Sequence, residues 1–124
     1  MRKLLLAAVV LASPTHAAER VKLPDKMFGT WCIKKRAAPM STYVHDKCTM
    51  DNFDVTIMPD GYEGRENTCE TTKITLKNGT YQLQYHCFGE GWVWNEEHSM
   101  RLADDGTLVI VLNRRWGEKR DKQR

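Results

Sequence analysis

The 124-residue chain reads as an all-β protein: an antiparallel meander of seven or eight strands, closed as a barrel or folded as a two-layer sandwich, with two disulfides. Three observations predict this. Apolar and polar residues alternate with period 2 through most of residues 53–112, the pattern of strands with one face buried. Turn signals separate the runs at Pro59-Asp60-Gly61, Asn78-Gly79, Gly89-Glu90 and Asp104-Asp105-Gly106, and Asn-Gly is the strongest short-range hairpin signal. Four cysteines, Cys32, Cys48, Cys69 and Cys87, in so small a chain suit two bridges. Closing or layering the sheet are the two ways to hide this much strand edge.

The start of the chain has a different character. Met1-Arg2-Lys3 is basic, residues 4–12 carry no charge, and Ser13-Pro14-Thr15-His16-Ala17-Ala18 offers small residues for cleavage. That is the pattern of a secretory signal peptide, cut after Ala17. Its apolar run falls well short of the roughly 20 residues a membrane span needs. We therefore expect a signal peptide at 1–17, a single β domain at 18–113 and a basic C-terminal tail at 114–124. The product would be periplasmic or secreted, with no transmembrane segment after signal removal.

The net charge of +3 is unevenly spread. Arg2 and Lys3 belong to the expected leader. Segment 114–124 holds six basic residues against Glu118 and Asp121, which leaves 18–113 at −3. An acidic body offers no basic face for nucleic acid, so that partner class is set aside. The tail reads as solvated, or as a segment docking on anionic envelope surfaces.

Residues 19–26 are polar and lead into a first strand over 27–33, where Gly29 allows close packing or a bulge. Residues 34–52 show no sustained period and are long for a connection; such a stretch is functional or hides a short element. A Cys32–Cys48 bridge would pin it. Phe53, Val55 and Ile57 mark a strand, and the polar run 62–68, with Glu63, Arg65 and Glu66, reads as a charged edge strand. Ile74 and Leu76 come next, then Tyr81, Leu83, Tyr85 and Cys87. Trp92, Trp94, His98, Met100 and Leu102 keep one parity, and Leu108, Ile110 and Leu112 face back at them.

The turns set the register, since a slip of one residue moves every side chain to the other face. A two-residue Asn78-Gly79 turn places Leu76 opposite Tyr81 and Ile74 opposite Leu83. A two-residue Gly89-Glu90 turn places Cys87 opposite Trp92 and Tyr85 opposite Trp94. The Asp-Asp-Gly loop places Leu102 opposite Leu108 and His98 opposite Leu112. Extended to the cysteines, the first register sets Glu70 rather than Cys69 opposite Cys87. A bulge between Cys69 and Thr72 would supply the missing residue and allow a Cys69–Cys87 bridge, on which both tryptophans would pack.

Gly29-Thr30-Trp31 on the first strand resembles the Gly-x-Trp signature of calycin-type barrels, among them lipocalins, avidins and bacterial metalloprotease inhibitors. In lipocalins an arginine near the last strand covers that tryptophan, so the resemblance implies this role for Arg114 or Arg115. The lipocalin Thr-Asp-x-x-Tyr segment and C-terminal helix are missing. Glu66-Asn67-Thr68-Cys69 and Cys87-Phe88-Gly89-Glu90-Gly91 are similar to segments of small exported bacterial β-proteins of unassigned function, which implies a fold and a compartment but no activity.

Chemistry is sparse. Beyond the leader the only serines are Ser41 and Ser99, neither in a nucleophile-elbow context, and the cysteines are expected to be bridged. No catalytic residue, cofactor or metal site is expected; no cysteine or histidine pair has zinc-ligand spacing. Glu96 and His98 share a strand face and form a conceivable proton-transfer pair, but Glu96 reads as the solvated end of the apolar face. The leading expectation is an exported, non-enzymatic binding protein, an inhibitor of an envelope or secreted enzyme. Met40, Tyr43 and Met50 in the disulfide-held loop would form its contact surface. The alternative is a carrier of a small apolar ligand, its interior lined by Trp92, Trp94, Tyr85 and Met100, with a cavity of about 300 Å³ or more.

Overall fold

The computed structural model describes residues 19–45, 48 and 54–122. Its nine strands are β1 (Glu19–Arg20), β2 (Gly29–Ala37), β3 (Met40–Val44), β4 (Asp54–Met58), β5 (Gly61–Glu63), β6 (Thr68–Lys77), β7 (Thr80–Gly89), β8 (Trp92–Leu102) and β9 (Leu108–Arg120). Eight close into an antiparallel barrel in the order β3-β2-β4-β5-β6-β7-β8-β9, with β9 returning to β3. The barrel, not the sandwich, is therefore the architecture. β1 pairs with the far end of β6, at Thr75 and Leu76. The expected signal peptide lies outside the described residues. Among them, no helix is long and apolar enough to cross a membrane.

The hairpins from β6 to β9 follow the alternation closely. Asn78 and Gly79 both have positive φ, and Leu76 faces Tyr81 as Ile74 faces Leu83. The bulge falls between Thr71 and Lys73, and it brings Cys69 opposite Cys87. Their Cα atoms stand 4.0 Å apart and the two are bridged. Leu102 faces Leu108 and His98 faces Leu112.

The β7–β8 turn corrects the expected register. Positive φ falls on Glu90 and Gly91, so the turn sits one residue later than expected and Cys87 faces Trp94, with Gly89 facing Trp92. Each partner moves by two residues, which preserves parity. Trp94 is buried beside the bridge, whereas Trp92 lies at the strand end and is 38% exposed.

Three other segments differ from expectation. Residues 34–52 contain β3, whose last four positions are all half-buried, so no alternation betrays it. β3 sits between β2 and β9, and the chain must pass β2 to reach β4. Cys32 pairs with Val44 of β3 and Asp54 of β4, and its bridge to Cys48 ties this crossing down. Residues 114–120 are not a tail but the second half of β9, paired with β8 from Trp92 to Glu97. The basic charges thus belong to the barrel wall. The polar segment before β2 also folds inward: a 3-10 turn at Asp25–Met27 buries Leu23 and Met27 against the core.

Trp31 is buried, as a Gly-x-Trp residue should be, and its indole N–H donates to the Met27 carbonyl at 2.9 Å. The arginine expected over it is elsewhere. His45 stacks on Trp31 with ring centroids 3.5 Å apart. Arg114 lies 3.9 Å over Trp116 and Arg115 lies 4.4 Å over Trp94.

Candidate ligand site beside a buried carboxylate

Alternation on β8 turns Trp94, Glu96, His98 and Met100 to the interior, and all four are buried. Glu96, expected at the solvated end of this face, is only 6% exposed. The tyrosine that meets it comes from the run read as a polar edge strand. Tyr62 follows the Asp60-Gly61 turn, faces Ile57 of β4 and Cys69 of β6, and is buried.

Three donors converge on the Glu96 carboxylate. The Tyr62 hydroxyl donates to Oε1 at 2.6 Å, and the Trp94 indole N–H donates to Oε2 at 2.7 Å. His98 Nε2 lies 2.8 Å from Oε1. An indole N–H and a phenol already fill acceptor positions on both oxygens, so the His98 contact is best met by an Nε2–H donating to an ionised carboxylate. Burial works to raise the Glu96 pKa. The hydrogen bonds from His98, Tyr62 and Trp94, with the charge His98 carries when protonated, outweigh it and hold the group at about 2. Burial, followed by the Glu96 charge, pushes the phenols of Tyr62 and Tyr85 well above their ordinary range. Asn67 extends the network by donating to the Tyr62 oxygen at 3.3 Å and to Cys69 Sγ at 3.5 Å.

The imidazole is held on every side but one. Tyr85 meets His98 edge-on at 4.9 Å and Tyr62 lies tilted at 5.4 Å. Its Nδ1 is the one buried side-chain nitrogen or oxygen without a hydrogen-bond partner among the described residues. His98 lines a cavity of about 200 Å³. The buried side chains of Val55, Ile57, Tyr62, Met100 and Ile110 form its other inner walls, and Tyr43 closes one side. Exposed Arg36, Asp54 and Arg65 stand at its mouth. Glu96 borders not this cavity but a neighbouring cleft of about 320 Å³, with Trp92, Trp94, Asn67, Arg115 and Glu118.

The residues expected to bind are thus dispersed. Tyr43 lines the cavity, Met40 is 41% exposed at the β2–β3 turn, and Met50 lies outside the described residues. Of the expected carrier lining, Met100 borders the cavity, Trp92 and Trp94 border the other cleft, and Tyr85 packs in the core. The interior is not the apolar one expected: a carboxylate, an imidazole and two phenols share it. Sequence reasoning gave no site role to Tyr62, Asn67 or Arg36, and read Arg65 only as part of a charged edge strand. A usable signal existed for Glu96, since an acid two residues from both an inward Trp and an inward His must itself face inward. None existed for Tyr62, whose neighbours are polar.

Among the described residues, Cys69, Cys87 and Glu96 bring donor atoms within 4.8 Å of one another. Both sulfurs are spent on the disulfide, and a metal ligand would have to be a thiolate. No protein-family model matches the chain, nor does any curated protein or solved structure.

Proposed function

We propose that the protein is an exported, non-enzymatic binding protein that takes a small ligand into the cavity beside His98. The observation that carries this reading is an internal cavity lined by His98, a residue whose buried Nδ1 has no hydrogen-bond partner among the described residues. The Tyr62 hydroxyl, the Trp94 indole N–H and His98 Nε2 all have their partner in the Glu96 carboxylate, and a buried polar atom left without one costs about 1–3 kcal/mol unless something else meets it. Two disulfides suit an oxidising compartment, in keeping with the basic and apolar start of the sequence. At about 200 Å³ the cavity is below the usual range for drug-sized ligands, which favours a small molecule over a lipid or a large cofactor.

A protein partner is the second reading, favoured by one feature. Met40 and Leu112 are both 41% exposed at the turn joining β2 and β3, where the Leu112 N–H donates to the Pro39 carbonyl at 3.0 Å. NMR fragment screening separates the two. The expected result is saturable 1:1 shifts at the amides of Tyr43, His98 and Met100, abolished by Ile110→Phe, which fills the cavity. Shifts confined to Met40 and Leu112, or none with any fragment, would overturn the small-ligand reading.

A further inference from the structure

Five asparagines stand in the sequence. Asn52 lies outside the described residues, and the other four are of two kinds. Asn67 donates to the Tyr62 oxygen and to Cys69 Sγ, Asn95 Oδ1 meets His86 Nδ1 at 3.3 Å, and Asn113 donates to Ser99 at 2.8 Å. Each of these three precedes a residue with a side chain: Thr68, Glu96 or Arg114. Asn78 differs on both counts. Its carboxamide has no hydrogen-bond partner among the described residues, it is exposed, and the next residue is Gly79.

Both properties favour one reaction, attack on the asparagine Cγ by the backbone nitrogen of the following residue. A side chain on that residue crowds the attack, and glycine has none. A Cβ placed at Gly79 would meet nothing within 4 Å, so the surroundings are open as well. Attack requires the chain to leave the turn, in which Asn78 and Gly79 hold φ of 55° and 79°. The turn closes on Lys77 and Thr80, the last pair of the β6–β7 ladder. Such ends open at the least cost.

We propose that Asn78-Gly79 is a site of self-modification, where the Gly79 nitrogen displaces the Asn78 amide and water then leaves aspartate or isoaspartate in its place. The Gly79 N–H proton passes to a solvent base as the N–Cγ bond forms. The Cγ–NH2 bond breaks and ammonia leaves. Water adds to either carbonyl of the cyclic imide and opens it, so the sum is water consumed and ammonia released, with no oxidant or reductant. Aspartate keeps the turn, since Asp-Gly suits the same two-residue loop. Isoaspartate carries the backbone through Cβ and Cγ, which lengthens the loop that sets Leu76 opposite Tyr81. β1 pairs at Thr75 and Leu76, so this product also loosens the attachment of the N-terminal strand.

Peptide mapping by mass spectrometry tests this on the full oxidised chain, held at neutral and at mildly alkaline pH. The peptide holding Asn78 should gain the mass difference between OH and NH2 and resolve into aspartate and isoaspartate forms. Conversion should be faster at the higher pH, which favours the deprotonated nitrogen, and should precede that at Asn67, Asn95 and Asn113. An Asn78 left intact while the reduced, unfolded chain converts there would show that the folded turn protects it, and would overturn the site. Earlier conversion at any of the other three in the folded chain would overturn it too. Amide hydrogen exchange at residues 75–81 should stay slow in Asn78→Asp and rise in the purified isoaspartate form. Equal exchange in the two would reject the change of register and leave the modification.

Discussion

The cleft bordered by Glu96 and the cavity bordered by His98 are linked through the hydrogen bond between those two residues, and they use polar groups in opposite ways. On the first side a buried carboxylate collects three donors; on the second an imidazole nitrogen meets none. A saturated network ties Tyr62 of β5 to three consecutive inward side chains of β8, so it holds the barrel together across its interior. An unsaturated atom holds nothing together. Polar groups buried within two residues of each other thus divide into a saturated, structural half and an unsaturated one, a division made by hydrogen-bond satisfaction rather than residue type.

The strongest way to break that comparison is to remove the hub. Glu96→Leu leaves the Tyr62 hydroxyl, the Trp94 indole N–H and the His98 Nε2–H without their acceptor in a buried site. Removing one partner of a buried charged network costs about 3–5 kcal/mol, a large share of a small domain's stability. Guanidinium unfolding with the disulfides intact should show that loss. A decrease under about 1 kcal/mol, the level of an ordinary exposed ion pair, would mean that Glu96 is not structural.

Acid should approach the same effect without a mutation. The folded pKa of Glu96 is about 2 against an ordinary value of 4.5, so the unfolded chain takes up the proton first. The stability this group contributes is fully present above about pH 4.5 and is lost as pH falls toward about 2. Each tenfold difference in proton affinity between the folded and unfolded chain is worth about 1.4 kcal/mol, so the contribution is at most about 3 kcal/mol. Unfolding free energies measured across that window should fall with acid in the native chain and fall less in Glu96→Leu. Parallel curves would assign the acid sensitivity to other carboxylates.

Much of the fold was legible because its strongest signals are local. Asn78-Gly79 and Asp104-Asp105-Gly106 set two registers, and the alternating strands between them did the rest, even locating a bulge from the misfit of Cys69 against Cys87. The Gly89-Glu90-Gly91 turn misled because either glycine can take positive φ, so composition does not choose which pair forms the turn. β3 was hidden because a half-buried strand between two neighbours has no clean polar face. The site was hardly legible at all. Tyr62 reaches Glu96 across 34 residues of chain, and only barrel closure, with β5 placed next to β6, brings the two together. Glu96 itself failed a different test: parity placed it inside, and its charge argued it back out. What overruled that argument was the number of donors awaiting it, which no strand pattern reveals.

The smallest expected effect on stability comes from the other half of the pair and sharpens the contrast most. His98→Phe deletes one of three donors to Glu96, so the carboxylate keeps Tyr62 and Trp94 and remains satisfied on both oxygens. It also removes the unpaired Nδ1. The ring volume is nearly kept, and the edge-on packing with Tyr85 remains available to a phenyl ring. The lost hydrogen bond to a charged group should cost about 1.5–3 kcal/mol, largely offset by deleting a buried atom that has no partner, itself worth about 1–3 kcal/mol. The net change by guanidinium unfolding should therefore be about 1 kcal/mol or less, well below that of Glu96→Leu, with the folded barrel kept. A loss as large as that of Glu96→Leu would place both residues in one structural unit and leave the cavity wall with no spare group. A small loss, on a fold that still closes, would mean that an imidazole stands at this position for something other than stability.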